Sequence, residues 1–174
     1  MCKKCTLTPS PIWYTYSMII YPIIVLLIIA ADQITKVMIR SNLVLNERIS
    51  VIGDWMNITY IRNEGAAFSM FSGNVFVTVI LTGVLLIACT VLIVHEIKAN
   101  DKVMALCLTC VLGGGLSNMF DRLYFGYVTD MISCGNFAIF NVADMFVTCG
   151  CIVAIAYVLL VYKDSSSGEE KQDE

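Results

Sequence analysis

Charge is what this chain has least of. Of its 174 residues only 14% are Asp, Glu, Lys or Arg, and there is a single histidine, His95. A soluble domain of this size needs far more polar surface, which excludes the ordinary water-soluble globular class. The net charge of −3 comes without any basic stripe carrying interleaved aromatics, so no nucleic-acid partner is expected. Nor is a metal or other cofactor expected. A metal site takes about four converging N or S ligands, or three and a water. Cys2 and Cys5 offer only two, and Cys89, Cys107, Cys110, Cys149 and Cys151 sit in apolar runs where Cys acts as a small hydrophobe. Cys134 alone falls in an expected loop beside acidic residues. The chain also lacks a Pro/Ser-rich linker and internal repeats, so nothing divides it.

What is present is apolar. The chain is 58% hydrophobic, with a mean hydropathy of +0.78. Four stretches, roughly 18–39, 75–95, 103–120 and 141–162, approach the ~20 residues a helix needs to cross a hydrocarbon core about 30 Å thick. The first is too long for a cleaved signal peptide and is followed by Lys36 and Arg40 rather than by small residues. The expected architecture is therefore an all-α membrane protein. It has one four-helix transmembrane domain over 1–163, and a polar tail over 164–174 expected to be disordered. An even number of spans puts both termini on one side. Lys3, Lys4, Lys98, Lys102, Lys163 and Lys171 then face Lys36, Arg40, Arg48, Arg62 and Arg122 across the membrane, a balance too even to orient the chain.

The connection after the first span has a pattern of its own. Over 55–61, Met56, Ile58 and Tyr60 alternate with Asn57 and Thr59, the period of a half-buried strand, and Gly53-Asp54 signals a turn before it. The spacing predicts a small sheet resting on the membrane surface. Asn63-Glu64-Gly65-Ala66-Ala67-Phe68-Ser69 follows, and its small residues allow backbone to approach another chain closely.

Acids near the last span are the chemically telling residues. Asp130 closes Tyr127-Val128-Thr129-Asp130, and Asp144 closes Phe140-Asn141-Val142-Ala143-Asp144. A charge at the bilayer centre costs roughly 2.5–3.5 kcal/mol on insertion scales, so an ionisable group retained there is a functional candidate. Asn141 and Asp144 also fit a purely local job, an N-cap with an acid three residues on. That reading leaves Asp130, Asp32 and Asn118 without a role. Asp32 has a local partner in Lys36 at i,i+4. In Gly113-Gly114-Gly115-Leu116-Ser117-Asn118, the glycines and Ser117 read as close helix packing. Asn118 and Arg122 share a helix face and point toward the carboxylates, and Asp121 is expected to orient Arg122.

Four of these segments in order make the chain resemble the prolipoprotein signal peptidases, the bacterial signal peptidase II family. They are Asp32-Gln33-Ile34-Thr35-Lys36, Asn63–Ser69 as quoted, Asn118–Arg122 with Tyr127–Asp130, and Phe140–Asp144. The resemblance covers about 18–162. Ser117 stands where the family usually has Gly, and the Asp130-to-Asp144 spacing is short for it. The resemblance implies a membrane aspartic endopeptidase that removes the signal peptide of lipid-modified prolipoproteins just before the diacylglyceryl-cysteine. Asp130 and Asp144 match its catalytic pair, and Asp32, Asn63, Gly65, Asn118, Arg122 and Asn141 match its supporting or substrate-holding positions. It further implies no metal or cofactor, prolipoproteins and membrane lipid as partners, a monomer, and a small extracytoplasmic β-cradle in the first outer loop. The location implied is the bacterial inner membrane, with both termini cytoplasmic. Two Asp side chains in contact cannot both ionise, so such a pair holds one proton and activates a water. A transporter would also place carboxylates in a bundle, but with internal repeats or broken helices. An assembly protein would leave Asp130 idle.

Overall fold

The computed structural model describes residues 11–53, 55–65, 75–135 and 138–169. Each apolar run is a helix: α1 Pro11–Asn42, α2 Val75–Lys98, α3 Lys102–Phe125 and α4 Val142–Glu169. Among the described residues, four helices are long and apolar enough to cross a membrane. Two helices differ from the expected spans in ways that matter. Helix α3 runs past residue 120 to Phe125, so Asn118, Asp121 and Arg122 stand on one continuous helix. Helix α4 continues through Glu169, into the segment expected to be a disordered tail, because nothing before Gly168 breaks it. Residues 170–174, Cys2, Cys5 and 66–69 lie outside the described residues.

Helix α3 is the axis of the bundle, and its glycines explain how. Successive helical residues point about 100° apart, so three in a row aim at three neighbours. A side chain on Gly113 would come within 3.1 Å of Ile28 on α1, and one on Gly115 within 2.6 Å of Leu86 on α2. One on Gly114 would strike the Ala143 carbonyl and come within 2.8 Å of Val147, both on α4. Gly150 on α4 repeats the device, 2.7 Å from the Cys107 carbonyl. Lipid gives helices little hydrophobic reason to associate, so small residues that let backbones meet are the available glue. Both ends of α3 are capped. Asp101 accepts the Met104 amide at 3.1 Å, and Gly126, at φ 79°, returns its N–H to the Arg122 carbonyl at 3.1 Å.

The sheet is antiparallel, in the order β1-β2-β3-β4, with β1 Arg48–Ile52, β2 Met56–Asn63, β3 Val128–Cys134 and β4 Ala138–Phe140. The strand expected over 55–61 is β2. The sheet is not confined to the first connection, however, because β3 and β4 come from the segment between α3 and α4. Cys134, expected in a loop, ends β3 opposite Met56 and Ala138. The short Asp130-to-Asp144 spacing is thereby taken up as a tight hairpin. The half-buried alternation expected of β2 is broken by a bulge. Ile58 faces Ile132 but Ile61 faces Asp130, one residue more on β2 than on β3. Thr59 and Tyr60 are consequently both buried, and the Thr59 hydroxyl donates to the Glu47 carbonyl at 2.7 Å.

At the opposite end of the bundle, Tyr21, Ile93, Ile97 and Ala105 form an apolar cluster with Tyr14, Ile24, Leu108 and Leu112 against it.

Candidate active site

The sheet and the near ends of α1, α3 and α4 converge on a buried polar cluster. Asp130 projects from β3 and is 3% exposed. Its two carboxylate oxygens accept from two amides: Asn63 Nδ2 reaches Oδ2 at 2.9 Å, and Asn141 Nδ2 reaches Oδ1 at 2.7 Å. Burial lifts its carboxyl from the ordinary 3.8 to about 6. The Asn63 bond opposes that rise, the Asp144 charge adds to it, and Asn141 and Lys36 pull back.

Asp144 sits in the first turn of α4 and is tied to the residue that opens it. The Asn141 amide N–H donates to Asp144 Oδ2 at 3.2 Å, and the Asp144 N–H donates to Asn141 Oδ1 at 2.9 Å. The two bonds form a reciprocal capping box. The capping role read from the sequence is therefore real, and it coexists with a second one. With Oδ1 used on the Asp144 backbone, the other end of the Asn141 amide is directed at Asp130. Asn141 is the bridge between the two acids.

Asn118, from α3, completes the set. Its Nδ2 donates to Asp144 Oδ1 at 2.7 Å, and its Oδ1 accepts from Asn141 Nδ2 at 3.1 Å and from Lys36 Nζ at 2.8 Å. Arg122 lies one turn along and donates to the Asn118 carbonyl at 3.4 Å and the Gly65 carbonyl at 3.0 Å. Gly65 is buried, and its N–H donates to Asn63 Oδ1 at 3.0 Å. The loop after β2 is thus tied to α3 and to Asp130 together. Tyr60 accepts from Arg62 Nε at 3.1 Å, and Arg62 also stacks 4.7 Å over Tyr127, joining β2 to the start of β3.

Behind these residues lies a layer that the sequence reading placed differently. Lys36 was expected only as the local i,i+4 partner of Asp32. The pair exists at 2.6 Å, but both side chains are completely buried. Lys36 also meets Asp121 at 3.0 Å. Asp121 therefore serves Lys36 rather than orienting Arg122, and it also accepts from Gln33 Nε2 at 2.9 Å and the Thr129 N–H at 3.3 Å. The cause is the direction of its side chain. Asp121 falls on the α1 side of α3, one residue's rotation from Arg122. Asp32 accepts from the Ala143 N–H at 2.8 Å and the Ser117 hydroxyl at 2.6 Å, which joins α1 to both α3 and α4. Gln33 and Lys36 are the members of this cluster that the sequence reading undervalued. Two ionisable residues and an amide within one turn of an apolar helix were the available signal.

Every supporting residue expected from the sequence, Asp32, Asn63, Gly65, Asn118, Arg122 and Asn141, belongs to this one cluster with Asp130 and Asp144. Fold and site together define a multi-pass membrane protein with two acids joined by one asparagine where a small sheet meets the bundle. Residues 24–160 match the family model described as signal peptidase (SPase) II. The chain belongs to the signal peptidase II family. It is 38% identical over 139 residues to a lipoprotein signal peptidase of Moorella thermoacetica, covering 79% of this chain and 91% of the relative. A lipoprotein signal peptidase of Streptococcus agalactiae is 37% identical over 153 residues, covering 86% and 96%. A solved structure titled as a bacterial membrane enzyme superposes with a TM-score of 0.77 at 32% identity, covering 84% of this chain and 90% of that one. A second, similarly titled, gives 0.73 at 31% identity, covering 80% and 92%.

Proposed function

We propose that this protein is a membrane aspartic endopeptidase that removes signal peptides from diacylglyceryl-modified prolipoproteins, cutting just before the lipidated cysteine. The observation that carries the reading is Asn141, whose amide bonds Asp130 at one end and the Asp144 backbone at the other. An asparagine so used holds two carboxyl groups at a fixed separation and leaves each able to meet a shared water. Membership in a family of signal peptidases supports the peptide substrate, and the lipoprotein signal peptidases among the relatives support the lipid-modified class.

The chemistry needs only these groups. The dyad holds one proton. Its ionised carboxylate takes a proton from water as the oxygen attacks the scissile carbonyl, and its protonated member donates to the carbonyl oxygen. Collapse of the tetrahedral intermediate breaks the C–N bond. The proton gained from water passes to the departing amine of the lipidated cysteine, and the carbonyl oxygen returns its own. Asn63, Asn118 and Asn141 hold the acids, while Arg122 and Gly65 set the wall along which the peptide lies. Both termini face the cytoplasm, and the sheet lies at the outer interface of the bacterial inner membrane, where a diacylglyceryl group is anchored. Residues 1–163 act as one domain, and the enzyme works as a monomer.

The test is turnover by detergent-solubilised protein on a precursor peptide with and without its diacylglyceryl group. The lipidated form is expected to be cut with a far higher kcat/KM. Equal values for the two forms would sink the lipid requirement, and no product from either would sink the peptidase reading.

A further inference from the structure

Lys36 is completely buried inside the bundle, and its ammonium has three N–H donors and no acceptor. Three acceptors surround it: Asp32 Oδ2 at 2.6 Å, Asp121 Oδ2 at 3.0 Å and Asn118 Oδ1 at 2.8 Å. The first two suffice to neutralise the lysine and to pin α1 to α3. The third goes to an amide that serves Asp144.

We propose that Lys36 is a positioning residue for the catalytic pair, because its donor-only ammonium fixes which end of the Asn118 amide faces Asp144. The inference rests on reading Asp130 and Asp144 as the dyad. A primary amide has nearly the same shape either way round, so only its partners decide how it sits. Facing an ammonium, Asn118 can present only Oδ1. Its Nδ2 must then point the other way, onto Asp144 Oδ1 at 2.7 Å. Asn141 is fixed in the same sense, since the Asp144 N–H occupies its Oδ1 and leaves Nδ2 for Asp130 and Asn118. One polarity runs from ammonium through two amides to two carboxylates. Reversing Asn118 would set its NH₂ against Lys36 and against the Asn141 NH₂, and its oxygen against Asp144. Three repulsive contacts would replace three hydrogen bonds. Lys36 thus acts on the acids without touching substrate.

Removing the lysine has two consequences, one geometric and one electrostatic. Asn118 loses the charged one of the three contacts that hold its orientation and keeps only Asn141 and Asp144 itself, which loosens the hold on Asp144. The dyad also loses a nearby positive charge. The charged groups facing it are Lys36 and Asp32 from α1, Asp121 and Arg122 from α3, and the two acids themselves from β3 and α4. With Arg122 the only cation left among them, each ionisation of the pair becomes harder, and both limbs of the pH–activity profile move to higher pH.

The experiment is a double-mutant cycle on full-length protein in detergent, with a lipidated precursor peptide as probe and thermal melting as the check on folding. Lys36→Met is expected to lower kcat about 10²-fold, the scale of a small misplacement of a reacting group, with KM little changed and the pH profile displaced upward. Asn118→Ala is expected to be nearly as slow, and the double variant no slower than the worse single one. Lys36→Met strands two buried carboxylates, so Lys36→Met/Asp121→Asn, which strands only one, supplies the same readouts if the single variant does not fold. Unchanged kcat, an unmoved pH profile or additive losses would each overturn the proposal. Failure of both lysine variants to fold would do the same, because it assigns Lys36 to stability alone. Retained activity in Asp130→Asn or Asp144→Asn would instead sink the dyad reading, and is scored separately.

Discussion

The two ends of this bundle are built from different materials. At the far end, Tyr21, Ile93, Ile97 and Ala105 pack apolar surface, with Tyr157 donating to Asp101 at 3.0 Å beside them. At the site end, Asp32, Lys36, Asn118, Asp121, Asp130 and Asn141 are all 8% exposed or less. Their hydrogen bonds form one connected set. A membrane helix gains little from exchanging lipid for apolar protein, so the far end is held by shape and is tolerant. The site end is held by desolvated polar groups, each costly if its partner is lost. Buried polar contacts are concentrated around the two acids, and the outward face of α4, with Ile152, Ile155, Leu159 and Leu160 more than half exposed in the isolated chain, is left to lipid.

The largest break in that contrast comes from the acids. Asp130→Asn and Asp144→Asn are each expected to abolish cleavage of a lipidated precursor while leaving the fold intact, with the double variant no worse, as for groups acting as a unit. Asp121→Asn keeps an oxygen for Lys36 and is expected to retain measurable turnover. A folded but inactive Asp121→Asn beside an active Asp130→Asn would move the dyad to Asp121 and Asp144.

Next in size is the contact that sets the height of Asp144. Gly114→Val drives a side chain into the Ala143 carbonyl and Val147, one residue from the acid. Overpacking of this kind costs about 1–3 kcal/mol in stability, and the displaced acid is expected to lose about 10²-fold in kcat. A wild-type kcat would show that α4 can slide without moving Asp144.

A third expectation concerns pH. The folded carboxyl of Asp130 titrates at about 6 against an ordinary 3.8. A raised carboxyl pKa means that its contribution to stability is fully present below about 3.8 and is lost as pH rises through about 6. Wild-type protein is therefore expected to lose stability across that window, by at most about 3 kcal/mol for a shift of this size. Asp130→Asn is expected to lose less. Melting temperatures of both between pH 4 and pH 8 check the sign, and parallel curves would remove Asp130 as the cause.

The smallest effect is expected at the far end. Tyr157→Phe deletes the bond to Asp101 and should cost about 0.5–1.5 kcal/mol, read as a small drop in melting temperature with kcat unchanged. A large loss of activity there would erase the contrast between the ends.

How much of this was legible before the fold can be followed residue by residue. The four spans, the strand within 55–61 and the packing role of Gly113–Gly115 were readable from the residues, and the family resemblance marked the positions from Asp32 to Asp144 that the fold gathers into one cluster. Hydropathy, period and intramembrane polarity are properties of the chain itself, because lipid forbids unsatisfied backbone and penalises charge wherever it falls. The sequence also carried the capping geometry of Asn141 and Asp144, which is local. Beyond the local Asp32–Lys36 pair, it did not carry the partners. Asp121 was adjacent to Arg122 in sequence and paired with Lys36 in space, since the rotation of α3 against α1 decides which acid meets which base. The sheet drew two strands from the α3–α4 connection, and the bulge in β2 buried Thr59 beside Tyr60, through pairings that no single strand's pattern encodes. Composition and periodicity determined that polar residues would be held inside a membrane bundle. Only the packing of α1, α3 and α4 with β3 decided that one lysine, two asparagines and two acids would share an unbroken run of hydrogen bonds, because donors and acceptors far apart in the chain are matched by helix rotation, depth and strand register.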